Sequence, residues 1–150
     1  MAARPTVHAS AVLVGARAVL IRGPAGAGKS RLALGLIAAA QTRLLAFARL
    51  VADDRVELEA CHRRLLARAP SALAGLIEAR GLGIRRVPHE PVAVVGTVVD
   101  LAAADGQRLP GPSECQTVID GIPLPRLAIA SGVDPIPLVI GLLRTTESTR

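Results

Sequence analysis

Eight residues constrain this chain more than any others: Gly23-Pro24-Ala25-Gly26-Ala27-Gly28-Lys29-Ser30 satisfies G-x-x-x-x-G-K-[ST]. The pattern carries chemistry only where a strand feeds the loop and a helix leaves it. Ala18 to Arg22 is an apolar run of strand type, and Ser30 to Ala40, rich in Ala and Leu, predicts a well-buried helix despite Gly35. In that setting the glycines let successive backbone N–H groups turn inward around a β-phosphate. The helix N-terminus adds its partial positive charge, and Ser30 offers a hydroxyl to Mg²⁺. All eight residues are therefore candidate nucleotide ligands. Of the 18 basic residues only Lys29 is a lysine. An ammonium is a compact charge on a flexible stem that follows the β- and γ-phosphates, whereas the broad guanidinium fork does not fit the same cradle.

Around this loop the chain reads mainly as strands. Val7 to Val14 and Ala18 to Arg22, separated by Gly15-Ala16-Arg17, predict a β-hairpin leading into the loop. Leu50 to Ala52 predicts a short buried strand that ends at Asp53-Asp54, and Val56 to Ala60 alternates like a half-exposed strand. Pro70 to Leu76 has room for one helical turn, Gly81-Leu82-Gly83 marks a tight loop, and Val92 to Leu101 is the clearest long strand. The Pro- and Gly-dense part from Pro110 to Pro137 reads as turns and short strands, and Leu138 to Arg144 as a closing helix. At 150 residues the length suits one domain. Strands outnumber helices and a hairpin precedes the loop, which predicts an α/β domain with a mixed sheet, largely antiparallel at its edges.

An apolar strand ending in acid beside a phosphate loop is the usual way to place a second catalytic element. Asp53 and Asp54 are thus candidates to hold a metal shell or accept a proton. Adjacent side chains on an extended backbone diverge, so the two are expected to differ in role.

The net charge of +6 raises the question of nucleic acid. Its distribution argues against that partner: the arginines are scattered singly or in pairs, and the chain has no Tyr or Trp on which bases could stack. An acidic nucleotide or an acidic protein would profit from the same charge. Half the residues are hydrophobic but almost none aromatic, so the core must be aliphatic, with Phe47 the only large ring. Cys61 and Cys115 lack the spacing of a redox or zinc pair. The apolar stretch Ala9 to Ile21 is broken by Gly15 and Arg17 and follows no basic leader, which predicts no membrane span and a cytoplasmic protein.

The segment VADDRV at Val51 to Val56 and the later APSALAGLIEARGLGI at Ala69 to Ile84 resemble the HPr kinase/phosphorylase family, which carries a VADD element and an E-x-R-G-x-G-I signature. His8 stands fifteen residues before Gly23, as the family's active-site histidine does, and Asp105-Gly106-Gln107-Arg108-Leu109 resembles its D-R-L segment. The resemblance runs from about His8 to Leu109. It implies a single phosphate-loop kinase domain of the HPr kinase and PEP carboxykinase-like fold, without the N-terminal regulatory domain of long members, as in the short alphaproteobacterial forms. It further implies ATP and Mg²⁺ as cofactors, the phosphocarrier HPr as protein substrate, and assembly into a homo-oligomer, a hexamer in the family. On the family pattern Lys29 is a phosphate ligand, Ser30 and Glu78 are magnesium ligands, Asp54 is the proton acceptor, and His8 and Arg108 are supporting catalytic groups.

Three departures stand out. Arg31 occupies a position that is often acidic in the family, and Arg85-Arg86 interrupts a usually apolar run. The stretch Ala128 to Val133 lacks both arginines of the family's P-V-R-P-G-R segment, which matters for dephosphorylation. Two rival readings follow from the loop alone: a small-molecule kinase, and a nucleotide-sensing module that has lost turnover.

Overall fold

A strand buried on both faces needs an unbroken apolar run, and the Ala-Val-Leu-Ile stretch before the phosphate loop supplies one at the centre of the sheet. The structure, a computed structural model, describes residues 4–145. In chain order the elements are β1 (Thr6–Val7), β2 (Ala9–Val14), β3 (Arg17–Arg22), α1 (Lys29–Gln41), β4 (Ala48–Ala52), β5 (Val56–Cys61), β6 (Arg64–Arg68), β7 (Leu76–Ala79), β8 (Gly83–Arg86), β9 (Ala93–Asp100), β10 (Gln116–Ile119), β11 (Ile122–Ala128) and α2 (Pro135–Arg144), with short 3₁₀ turns at Ser71–Leu73 and Pro112–Cys115.

Nine strands form one sheet in the order β1-β5-β6-β9-β3-β2-β4, to which the β10–β11 hairpin adds beside β9. β9 runs parallel to β3 and to β11, and every other pair in the sheet is antiparallel. It pairs with β3 from Val95 to Asp100, with β6 at Ala93 and Val94, and with β11 from Val98 to Asp100. The mixed sheet with antiparallel edges expected from the sequence is thus the one formed.

Alternate residues of β3 serve two cores, as a period of two requires. Val19 and Ile21 pack with Leu32, Leu36 and Ala39 of α1 and Val139 of α2, while Ala18 and Leu20 pack with Val51, Val56, Leu65 and Val98. Both cores are aliphatic. Phe47 is not among their residues; it sits at the surface beneath Arg49, whose guanidinium carbon lies 5.4 Å from the ring centre. Gly35 is where the two helices meet, since a Cβ there would come within 2.8 Å of Ile136 Cδ1.

At five places the structure extends or corrects the expected elements. The first strand breaks at His8, a bend between β1 and β2. Arg64–Arg68 is a strand that its string of arginines hid, and the Gly81–Gly83 loop is the tip of a separate β7–β8 hairpin. β11 is seven residues long in spite of Pro123 and Pro125. Both prolines precede Arg126, where pairing with β9 begins, so their missing N–H groups cost that ladder nothing. Finally, α2 starts at Pro135 and not at Leu138: Asp134 caps it by accepting from the Ile136 amide at 3.1 Å, and proline is favoured in a first helical turn.

What the topology accomplishes is local. β2 lies antiparallel between β3 and β4, and β9 is parallel to β3, so the C-terminal ends of β3, β4 and β9 share one edge of the sheet. In open α/β sheets that edge is where ligands bind.

Candidate active site

The phosphate loop leaves β3 at Arg22 and enters α1 through Gly28, whose φ of 99° is in the left-handed range that favours glycine. The Leu32 amide donates to the Gly28 carbonyl at 2.9 Å, so the helix begins within the motif. Gly23 is closely packed: a Cβ there would stand 3.1 Å from Leu101 Cβ and 3.2 Å from its carbonyl oxygen. Lys29 is 7% exposed, and its ammonium donates to the Gly23 carbonyl at 2.8 Å and the Pro24 carbonyl at 3.2 Å. The chain's one lysine is thus folded back over the loop that carries it.

Asp53 is the hub of the site. Its Oδ1 accepts from the hydroxyls of Ser10 and Ser30, each at 2.7 Å, and its Oδ2 accepts from the Glu78 amide at 3.0 Å. Sheet register explains the first contact, because Ala11 of β2 pairs with Ala52 of β4, which sets Ser10 opposite the residue after the strand. One buried carboxylate thereby joins β2, α1 and β7. Ser10 is fully buried and was not singled out in the sequence; its signal is a lone hydroxyl within an apolar strand.

Asp54 diverges from Asp53, as expected, but for another reason. The extended backbone ends at Ala52, and Asp54 takes a left-handed φ of 66°. This reversal turns its carboxylate outward to His8, with Nε2 2.9 Å from Oδ1, and both side chains are about half exposed. The structure therefore brings together Lys29, Ser30, Asp53, Asp54, His8 and the backbone of Glu78. The Glu78 side chain is exposed, and Arg108 lies exposed in the loop after β9, outside this hydrogen-bond network.

Asp53→Asn should destabilise the fold by about 1–3 kcal/mol, the cost of an unsatisfied buried polar group. Asparagine can still accept from both serines, but its NH₂ then meets the Glu78 N–H, donor against donor. Asp54→Asn, at an exposed position, should leave stability unchanged. Urea unfolding of the two variants checks the contrast.

A second charged cluster abuts the loop. Arg22 donates bidentately to Asp100 at 2.7 Å through both Nε and Nη2, and Arg126 Nε reaches the same carboxylate at 2.5 Å. Arg126 also forks onto Asp105, at 2.7 and 3.0 Å. Burial pushes the Asp100 carboxyl up, but the two guanidiniums outweigh burial and hold it below the usual aspartate range. Hydrogen bonds from Arg126 hold Asp105 low as well, and those bonds raise Arg126 in return. Asp100 closes an apolar strand, the same signal that marked Asp53, and could have been found by it. Because its folded value is depressed, its stabilisation is present at neutral pH and is lost as pH falls through that depressed value. Asp100→Asn should cost about 3 kcal/mol at pH 7 by leaving two arginines short of a partner. The gap from wild type should close in acid, as thermal melts from pH 7 downward will show.

The segment Ile129 to Val133 faces the loop across a cleft of about 190 Å³, walled by Gly26, Ala27 and Leu101 on the other side. No residue lining it is charged. Magnesium is compatible with the donors present. Ser30 and the exposed Glu78 carboxylate offer hard oxygens of the kind magnesium takes, and Asp53 fixes the Ser30 hydroxyl.

Comparison with known proteins agrees with this geometry. The HPr kinase/phosphorylase of Lactobacillus acidophilus is 38% identical over 85 residues, 56% of this chain and 24% of that protein. That of Clostridium tetani is 38% identical over 88 residues, 59% of this chain and 27% of that protein. The match thus spans about a quarter of the length of these curated relatives. The solved structure of the Hpr(Ser) kinase/phosphatase from Coxiella burnetii superposes with a TM-score of 0.74 at 28% identity, covering 94% of this chain and 95% of that one. Residues 1–90 match the model described as HPr Serine kinase C-terminal domain, and the chain belongs to that family.

Proposed function

We propose that this protein transfers the γ-phosphoryl group of ATP, with Mg²⁺, to a serine of HPr, acting in the cytoplasm and as a homo-oligomer. The observation that carries the reading is the His8–Asp54 pair, half exposed beside the phosphate loop and so open to a side chain presented by another protein. A serine hydroxyl is a weak nucleophile, and a carboxylate that takes its proton promotes attack. In this reading Asp54 is the acceptor, and His8 orients it through the 2.9 Å contact. Lys29 holds the β- and γ-phosphates from the loop.

Bound magnesium neutralises charge developing on the phosphates, and Ser30 and Glu78 are the residues that would hold it. Asp53 serves by aiming the Ser30 hydroxyl, since two serines and one amide already occupy its oxygens. Arg108 remains a supporting group for the transferred phosphoryl.

The test is transfer from labelled ATP to purified HPr, run beside a panel of small-molecule acceptors. Labelling of a metabolite in preference to HPr, or nucleotide binding without transfer to either, would sink the proposal. Lys29→Arg should lower the rate about ten- to a hundredfold, as one misplaced charged hydrogen bond is worth about 1.5–3 kcal/mol. A wild-type rate in that variant would show that the shape of the cation is immaterial.

A further inference from the structure

The loop carrying Arg108 is tied down at several points, among them the Ala103 amide, which donates to the Ile129 carbonyl at 2.9 Å. Gly106 packs so closely on Ala130 that a Cβ would come within 2.5 Å of the Ala130 amide nitrogen. Asp105 is gripped by the Arg126 fork, and Arg126 Nη1 also donates to the Glu114 carbonyl at 3.1 Å, at the far end of the same loop. One arginine therefore holds both ends of the segment that contains Arg108. Its own position is set by Asp100, whose carboxylate is simultaneously bound to Arg22, the residue immediately before Gly23. Every nitrogen of the Arg126 guanidinium is thereby engaged.

We infer that Arg126 is a positioning residue: through Asp100 on one side and Asp105 on the other, it registers the Arg108 loop against the base of the phosphate loop. The catalytic part of this inference rests on the proposed kinase reaction; the loop-ordering part does not. A bidentate guanidinium suits the task because its planar fork fixes direction as well as distance, which a lysine ammonium cannot. Arg126 acts through Arg108, since its own nitrogens are committed to Asp100, Asp105 and the Glu114 carbonyl.

Asp105→Ala is the cleaner probe, because the Asp105 side chain is nearly half exposed while removal of Arg126 strips a partner from the more buried Asp100. On the kinase reading Asp105→Ala lowers kcat for HPr about tenfold and leaves the KM for ATP within about twofold, with Asp105→Glu restoring part of the rate. Asp105→Ala combined with Arg108→Ala is no slower than Arg108→Ala alone, since one residue works through the other. Additive losses, or a wild-type kcat in Asp105→Ala, overturn the inference. Amide hydrogen exchange over residues 102–115 is read on the same samples. Faster exchange in Asp105→Ala and in Arg126→Lys supports the pin even if wild-type protein transfers nothing to HPr, and unchanged exchange in both refutes it.

Discussion

Asp54→Asn will reduce phosphoryl transfer to HPr by about two to four orders of magnitude, the usual contribution of a positioned general base, while nucleotide affinity stays at the wild-type level. The reason lies in the division between two neighbouring carboxylates. Asp54 touches His8 and solvent, so its loss removes a proton acceptor and no structural bond. Asp53 is buried under three hydrogen bonds, so its loss disturbs Ser30 and β7 together. Single-turnover transfer and equilibrium nucleotide binding, measured on both variants, separate these roles. Equal effects of the two substitutions on rate, affinity and magnesium dependence would refute the division of labour.

Phosphorolysis of phosphoserine-HPr will be slower than kinase transfer by about two to four powers of ten. Inorganic phosphate must be clamped where the γ-phosphoryl group would leave, and paired guanidinium bonds are the strongest clamp for such a dianion. The cleft wall from Ile129 to Val133 carries none, and two missing charged hydrogen bonds account for an effect of that size. Arg126 stands just before that wall, but it is tied to Asp100 and Asp105. Arg85 and Arg86 lie on the separate β7–β8 hairpin, exposed. Supplying phosphoserine-HPr and millimolar phosphate without ATP, and following pyrophosphate release, is the measurement. Release as fast as the forward reaction would show that another group binds phosphate.

The parts of this site that were legible in the sequence are those encoded by contiguous residues. The loop from Gly23 to Ser30 and the acid-terminated strand at Asp53 each state their chemistry within one segment, and the structure sets them at one sheet edge. How Ser10 meets Asp53, and how Asp100, Arg126 and Asp105 pair, were not legible, because register between distant strands decides whether an isolated Ser, Asp or Arg has a partner. The same holds for the strands. β9 and β3 announce themselves by apolar runs, whereas β6, with three of its five residues apolar between arginines, and β11, with two prolines, are strands only because neighbours pair with them. Tertiary pairing overrides local preference there, as it commonly does in sheets.

The single lysine, buried and turned onto its own loop, also makes the protein a reporter of its own opening. A lysine-specific endoprotease has one target in the entire chain, the Lys29–Ser30 bond, and that bond lies in the first turn of α1. Cleavage requires the turn to unwind and leave the sheet edge, so where reclosing outpaces cutting, the digestion rate measures the equilibrium population of open molecules. A ligand that settles on the loop should slow the cut in proportion to its occupancy. Two fragments on a gel would then read nucleotide affinity without any label and without turnover.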